Sequence, residues 1–194
     1  MSTAEANVAA TVDQDRAIDT VTAAFISDPI SRWAFRDAHQ YLTYFPRLVR
    51  ALAGGAFDSG TAHSVEAFSG VALWLPPGVN SDEEAMGALV EEGIPASEQE
   101  EMFGLLGQMD EYHLTDPHWY LSMIGVDPAR QGRGYGSALL RHGLKTCDAQ
   151  GVPAYLEATS ERNKPLYERH GFEAIGVMQS GSSPPMWPML RKPH

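Results

Sequence analysis

A chain of 194 residues, 43% hydrophobic and 20% charged with a net charge of −11, is sized for one domain with a sizeable core. Its acidity argues against a nucleic-acid partner or an anionic membrane surface, and its single cysteine, Cys147, rules out an internal disulfide framework. No apolar run reaches the ~18 residues of a bilayer crossing, and residues 1–7 lack the basic and apolar regions of a secretory signal, so a cytoplasmic protein is expected.

Residues 1–12 are small and polar, with at most a weak edge strand near 7–11. Asp13 is placed to cap a helix reaching about residue 27, with Ala17, Val21, Ala24 and Phe25 on one face. Asp28-Pro29 ends it. A short helix over 29–35 follows, then an amphipathic stretch over 39–52 that should kink or restart at Pro46, since proline lacks an N–H. Gly54-Gly55 is a stop. Residues 61–67 and 70–75 read as antiparallel strands with a turn at 68–70, and Pro76-Pro77-Gly78 ends the second.

Two acidic helical stretches, 82–93 and 97–111, come next. Ser97 and Glu100 have the spacing of a capping box, and Met102, Phe103, Leu105, Leu106 and Met109 form an apolar face. Residues 118–126 are apolar, aromatic and β-branched, as a buried strand requires, and Pro128 ends its ladder. After Gln131-Gly132-Arg133-Gly134-Tyr135-Gly136 a helix begins. Its apolar positions 139, 140, 144 and 147 share a face, so Cys147 is expected to pack rather than react. Residues 153–159 read as a strand, 163–170 as a short helix, 172–178 as a strand and 186–192 as a last strand after a turn. That order fits an α/β mixed sheet with helices on both faces.

Strand, glycine-rich loop and helix N-terminus together make an anion cradle suited to phosphate. The plain alternative is a turn that needs glycine for steric reasons. The loop is not a Walker A motif, because no Gly-Lys-Ser/Thr follows, and its third glycine, Gly136, comes one residue early for the dinucleotide fingerprint. Charge divides along the chain: residues 51–129 hold 14 acids and no Lys or Arg, whereas 130–194 hold nine Lys/Arg and five acids. The acids are either a solvated surface or one wall of a site for a cation. No metal-ligand cluster stands out among the seven histidines.

The loop resembles the acetyl-CoA loop of the GNAT family of N-acetyltransferases, Gln/Arg-x-x-Gly-x-Gly/Ala after a strand ending Val-x-Pro. Val126-Asp127-Pro128 and the run Gln131 to Gly136 satisfy each position. A second segment of that family's kind follows, Asn163-Lys164-Pro165-Leu166-Tyr167-Glu168-Arg169-His170-Gly171-Phe172. The resemblance covers roughly residues 117–178 and, with Leu156-Glu157-Ala158-Thr159, looks most like the puromycin N-acetyltransferase branch. It implies a single GNAT domain over 1–194, with a mixed, mostly antiparallel sheet of six to seven strands. Residues 1–116 would form the acceptor-side half and 117–194 the acetyl-CoA-binding half.

The same resemblance implies acetyl-CoA as cosubstrate, with no metal. Amides of Gly132, Arg133, Gly134, Tyr135, Gly136 and Ser137 are placed to donate to its pyrophosphate, the helix dipole adding ~0.3–1 kcal/mol per charge. Gln131 completes the motif, and Arg130 and Arg133 are the nearest cations. Pantetheine is a string of amides that pairs with a free strand edge; in the family the central strand offers one, here through Met123, Ile124 and Val126, with Gly125 suited to a bulge. Asn163, by position a helix cap, is implied to bond the cofactor as well. Tyr167 shares its helix face and is implied to stand near the thioester sulfur, where a phenol of pKa ~10 can protonate the leaving thiolate.

Residues 119–124 contain no carboxylate to take the ammonium proton. Glu157 is the candidate base, near the C-terminal end of its strand where ligands gather in α/β sheets, unless it pairs Arg162 instead. Glu111 and His113 come next, acting directly or through water. A central-strand amide near Ile124 or Val126 would meet the oxyanion. The expected function is direct transfer of acetyl to the primary amine of a small cationic acceptor, by a monomer or homodimer. A non-catalytic acyl-CoA sensor is the alternative, motivated by the missing strand carboxylate, and a dinucleotide oxidoreductase is a weaker third.

Overall fold

The computed structural model describes residues 6–11 and 13–194; what was expected of residues 1–5 and 12 lies outside them. Strand β1 (Val8–Ala10) precedes four helices, α1 (Gln14–Ala24), α2 (Pro29–Ala34), α3 (Ala38–Ala53) and α4 (Gly55–Asp58). A hairpin of β2 (Ala62–Val65) and β3 (Gly70–Leu75) leads to α5 (Glu83–Gly93), α6 (Ala96–Tyr112) and the central strand β4 (Trp119–Val126). A 3₁₀ turn (Pro128–Arg130) is followed by α7 (Tyr135–Gln150), β5 (Ala154–Ala158), α8 (Lys164–Glu168), β6 (Glu173–Ala174) and β7 (Trp187–Arg191). Asp13, Asp28, Asp37 and Asp82 each cap a helix by accepting a backbone N–H of the first turn, worth roughly 1 kcal/mol apiece.

The seven strands pair in the order β1-β2-β3-β4-β5-β7-β6, antiparallel except for β4 with β5. Apolar faces of α1, α3, α5 and α6 cover one side, where Val21, Phe45, Val49 and Val90 meet Leu73, Tyr120, Met123 and Tyr155. On the other side Leu139, Leu140, Leu144 and Cys147 of α7 meet Trp74, Leu121 and Leu156. Each side is thus a layer that buries a helical stripe against alternate strand residues.

Two departures at β4 shape the site. First, β4 and β5 pair only at Trp119 with Ala154 and Tyr120 with Tyr155; beyond that they part, leaving an unpaired edge on β4. Second, the bulge lies at Ser122 rather than at Gly125. Across from β3, Leu73 faces Met123 and Trp74 faces Leu121, so Ser122 is the extra residue. The bulge resets the alternation, turning both Tyr120 and Met123 toward the α1–α3 side. Gly125 answers to packing instead, since a Cβ there would stand 2.7 Å from that of Ala24, where α1 crosses the strand.

Elsewhere, Pro46 neither breaks nor restarts α3, which runs through it. The carbonyl it leaves without a helical partner is that of Leu42, a residue 60% exposed, on the solvent side of the helix. The stop at Gly54-Gly55 leads into α4 rather than a loop. The hairpin turn begins earlier than expected, because Glu66, Ala67 and Phe68 all take positive φ. The Ser97–Glu100 capping box does not form: α6 starts at Ala96, so the cap position falls on Pro95, two residues before Ser97, with no side-chain cap. The strand expected over 172–178 shrinks to β6 and a lone Met178–Met186 bridge. Ile175 N–H still donates to the Pro188 carbonyl, but Pro188 has no N–H to return, and the ladder lapses there.

Candidate functional site

Two cavities open on the gap between β4 and β5. The larger, about 620 Å³, is bordered by Ile124, Gly125 and Val126 of β4, by Gln131, Gly132 and Gly134 of the loop, and by Tyr135, Gly136 and Ser137 of α7. Gly132 and Gly134 have φ of 75° and 82°, and a Cβ on either would meet nothing within 4 Å. These glycines are therefore required by backbone conformation, not by crowding. Gly134 is the N-cap of α7 and supplies no side chain, so the first-turn amides point at the cleft uncapped, with the positive end of the helix dipole behind them. That geometry suits a phosphate.

The cations differ from those expected. Arg130 and Arg133 are exposed and do not border the cleft, whereas Arg162 and Arg169 do. Both lie some 30 residues further along the chain, on either side of α8, where only the tertiary fold brings them to the loop. The Gln131 side chain donates to the Val126 carbonyl at 3.3 Å, tying the loop to the strand end. Met123 faces the second cavity, and Asn163 and Tyr167 border both. Asn163 does occupy the N-cap position of α8 but makes no side-chain cap bond, leaving its amide group free for other work.

The second cavity, about 130 Å³, sits between the sheet and helices α2, α3, α5 and α6. Its walls are mainly Phe, Leu, Met and Ile, with Asp28, Ser31, Ser122, Glu157, Thr159 and Asn163 as polar insertions. Glu157 alternates with Ala158 and Leu156 on β5 and so shares the face of Tyr155. The Tyr120 hydroxyl donates to its Oε2 at 2.8 Å, while Oε1 is buried with no hydrogen-bond partner among the described residues. Burial raises its pKa to about 7 against the opposing pull of the Tyr120 and Tyr155 hydroxyls. It makes no ion pair with Arg162. Glu111 and His113 border neither cavity. His113 stacks edge-on against Tyr120 and Tyr155 and meets His118 at 3.1 Å, behind the tyrosine, Tyr120, that bonds Glu157.

Tyr167 reaches the gap from the α7 side and is 7% exposed. Burial, with the nearby Asp28 charge, holds its pKa above the ordinary phenol value, so it stays protonated through neutral pH. Asp28 was legible only as a helix stop, yet it borders both cavities. It accepts from the Ser31 N–H at 3.0 Å, from the Ser31 hydroxyl at 3.1 Å and from the Thr159 hydroxyl. Burial nonetheless raises its pKa. No sequence signal separates such a cap from an ordinary one. The acids of α5 and α6 lie elsewhere: Glu91, Glu92, Glu100 and Glu101 border neither cavity, Glu92 is bidentate with Arg47, and Glu101 accepts from Ser182. No cluster of three or more His, Cys, Asp or Glu suited to a metal occurs among the described residues. Chemically, the gap offers a weakly acidic carboxyl and a protonated phenol on either side of one opening, next to an anion cradle.

Residues 47–172 match the Acetyltransferase (GNAT) family. An uncharacterized N-acetyltransferase of Schizosaccharomyces pombe is 26% identical over 94% of this chain and 81% of its own length. Among solved structures, a Corynebacterium glutamicum protein described as histone acetyltransferase HPA2 and related acetyltransferase aligns with a TM-score of 0.71 at 24% identity, covering 98% of each chain. A polyamine N-acetyltransferase of Drosophila melanogaster, described as catalysing the formation of N-acetylagmatine, aligns at 0.64 and 15% identity over 96% of this chain and 99% of its own.

Proposed function

The chain belongs to the Acetyltransferase (GNAT) family, and from that premise we propose that it transfers acetyl from acetyl-CoA directly to the primary amine of a small cationic acceptor. One observation carries this reading: a phosphate-suited cleft and a smaller, mainly apolar cavity meet at Tyr167 and Asn163, with Glu157 bordering the apolar side. The family's use of acetyl-CoA and the amine substrate of the Drosophila neighbour support it. The Leu156-Glu157-Ala158-Thr159 strand is the ground for a puromycin-like layout within the family. Residues 1–116 serve as the acceptor side and 117–194 as the cofactor side of one domain.

The residues present fit the cosubstrate. Amides of the Gly132 to Ser137 run take the pyrophosphate, Arg162 and Arg169 add countercharge, and the unpaired edge at Ile124 and Val126 takes the pantetheine amides. Acetyl-CoA supplies an acyl thioester whose carbonyl carbon accepts the amine lone pair as a C–N bond forms and the C–S bond breaks. Glu157 takes one proton from the bound ammonium before attack and later releases it to solvent. A β4 amide near Ile124 or Val126 stabilises the oxyanion. As the intermediate collapses, the nitrogen loses its second proton and Tyr167 gives its own to the departing sulfur, recovering it from solvent or the acceptor nitrogen. The products are an amide, a free thiol and one proton.

The deciding experiment measures free thiol released from acetyl-CoA on adding a panel of amines, alongside acetyl-CoA binding by thermal shift. Amine-dependent release is expected. Binding with no release from any amine would return the protein to the acyl-CoA sensor reading.

A further inference from the structure

The second cavity says what kind of amine enters, provided the transferase reading holds. Its far walls come from α3, α5 and α6 and carry only apolar side chains: Phe45, Leu48, Leu89, Met102 and Leu106 are representative. No Lys, Arg or His borders it among the described residues, and its only two carboxylates are Asp28 and Glu157. Of these, Asp28 is committed to three internal donors. Ser122 is committed likewise, donating to the Leu52 carbonyl at 3.0 Å. Among the described residues, Glu157 Oε1 is thus the one oxygen of the lining that is buried without a hydrogen-bond partner, and it stands on the sheet side, on β5. One cation is provided for, at one end.

We propose that the acceptor is a primary monoamine with a compact hydrocarbon body, a single aromatic ring or its alkyl equivalent, whose ammonium meets Glu157 while the body fills the apolar chamber. Size agrees with chemistry. The chamber holds about 130 Å³, and an apolar protein cavity of about 150 Å³ takes one benzene. A diamine would carry its second charge into carbon walls with no countercharge, and an amino acid would bring a carboxylate beside Glu157; either burial is costly. The fourteen acids of residues 51–129 do not rescue a polyamine, because those on α5 and α6 lie outside the chamber.

The test compares phenethylamine, hexylamine, putrescine, agmatine and phenylalanine as acceptors for the full chain with acetyl-CoA, by thiol release. Phenethylamine and hexylamine are expected to exceed the other three in kcat/KM by about 100-fold, from the cost of burying an unpaired charge. Putrescine, agmatine or phenylalanine performing as well as phenethylamine overturns the proposal. Calorimetric titration of phenethylamine into protein saturated with CoA separates this from the parent reading, since no chemistry can occur. Binding without thiol release in the activity assay leaves the chamber assignment standing and removes the transferase; no binding and no release removes the chamber assignment. Leu106→Asp adds a carboxylate to the carbon wall and should raise the putrescine-to-phenethylamine ratio about tenfold; a folded variant with an unmoved ratio counts against the chamber. Should that variant not fold, the wild-type panel and the titration still decide.

Discussion

Glu157 is held between two opposing influences. Burial favours its neutral form, and the tyrosine hydroxyls favour the anion, leaving a pKa of about 7, which is where a general base is most effective. If it is the base, kcat/KM should rise with pH through about 7 and then level. Glu157→Gln should lower kcat about 10²–10⁴-fold and remove that inflection. The same group bears on stability. Its folded pKa lies above the unfolded value, so the folded state binds more proton, and stability is lost as pH rises from about 4.5 to about 7. Glu157→Gln should flatten that window, by up to roughly 3 kcal/mol in chemical denaturation at pH 8. Tyr167→Phe should cut kcat with little change in acetyl-CoA affinity; an undiminished kcat, with chemistry shown to limit the rate, would reject Tyr167 as proton donor. Cys147 is fully buried in the α7 interface and its thiol is pushed up to about 12, so it is no nucleophile. Cys147→Ala should keep near-full activity, and a dead but folded variant would argue for an acyl-enzyme.

Among the elements, the start of α7 and the crossing of α1 over β4 are the two places where a single methyl group tells most. Gly134 holds a left-handed conformation at φ 82° with open space around it. Gly134→Ala should therefore fold at a cost of about 1 kcal/mol while turning the first amides of α7, and acetyl-CoA affinity should fall more than stability does. Equal affinity in a thermal-shift titration would mean that those amides do not hold the phosphates. Gly125→Ala is the converse case. Its Cβ would stand 2.7 Å from that of Ala24, and neither atom can rotate away, so α1 must shift. The expected cost is about 1–3 kcal/mol, read as a lower melting temperature, with the Ala24 side of the cofactor cleft displaced.

At the scale of the whole molecule, the parting of β4 from β5 places chemistry in the interior of a seven-stranded sheet. Side chains from both layers, Tyr167 from one and Glu157 and Met123 from the other, reach a common opening only because the strands stop pairing after Tyr120 and Tyr155. The charge asymmetry acts at a different range. Acids on α5 and α6 can attract a cation through solvent, an effect screened within ~10 Å at 0.1 M salt, but they do not touch the acceptor chamber. Glu91→Gln with Glu100→Gln, two acids in no ion pair among the described residues, should leave amine KM within about twofold at physiological salt. A large rise in KM would bring those acids back into the acceptor site.

Local sequence determined what local chemistry can determine. Gln131 to Gly136 after Val126-Asp127-Pro128 marks a strand, a positive-φ loop and a bare helix start, because only glycine takes those backbone angles without strain. The spacing of Asn163 and Tyr167 puts both on one face of a short helix, and the period of residues 139, 140, 144 and 147 marked the buried face of α7. Asp13 before α1 was readable as a cap, because a short acceptor side chain just ahead of a helical run can take a first-turn N–H; Asp82 before α5 showed itself as one only in the structure. Only the tertiary structure decided that the bulge falls at Ser122, since a register shift depends on the partner strand. Only it decided that Asp28 faces a cavity, that Arg162 and Arg169 rather than Arg130 and Arg133 border the phosphate-suited cleft, and that the acids of α5 and α6 turn outward. Burial and pairing across 30 to 130 residues of chain settle such matters, and no local pattern encodes which side of a helix a distant strand will meet.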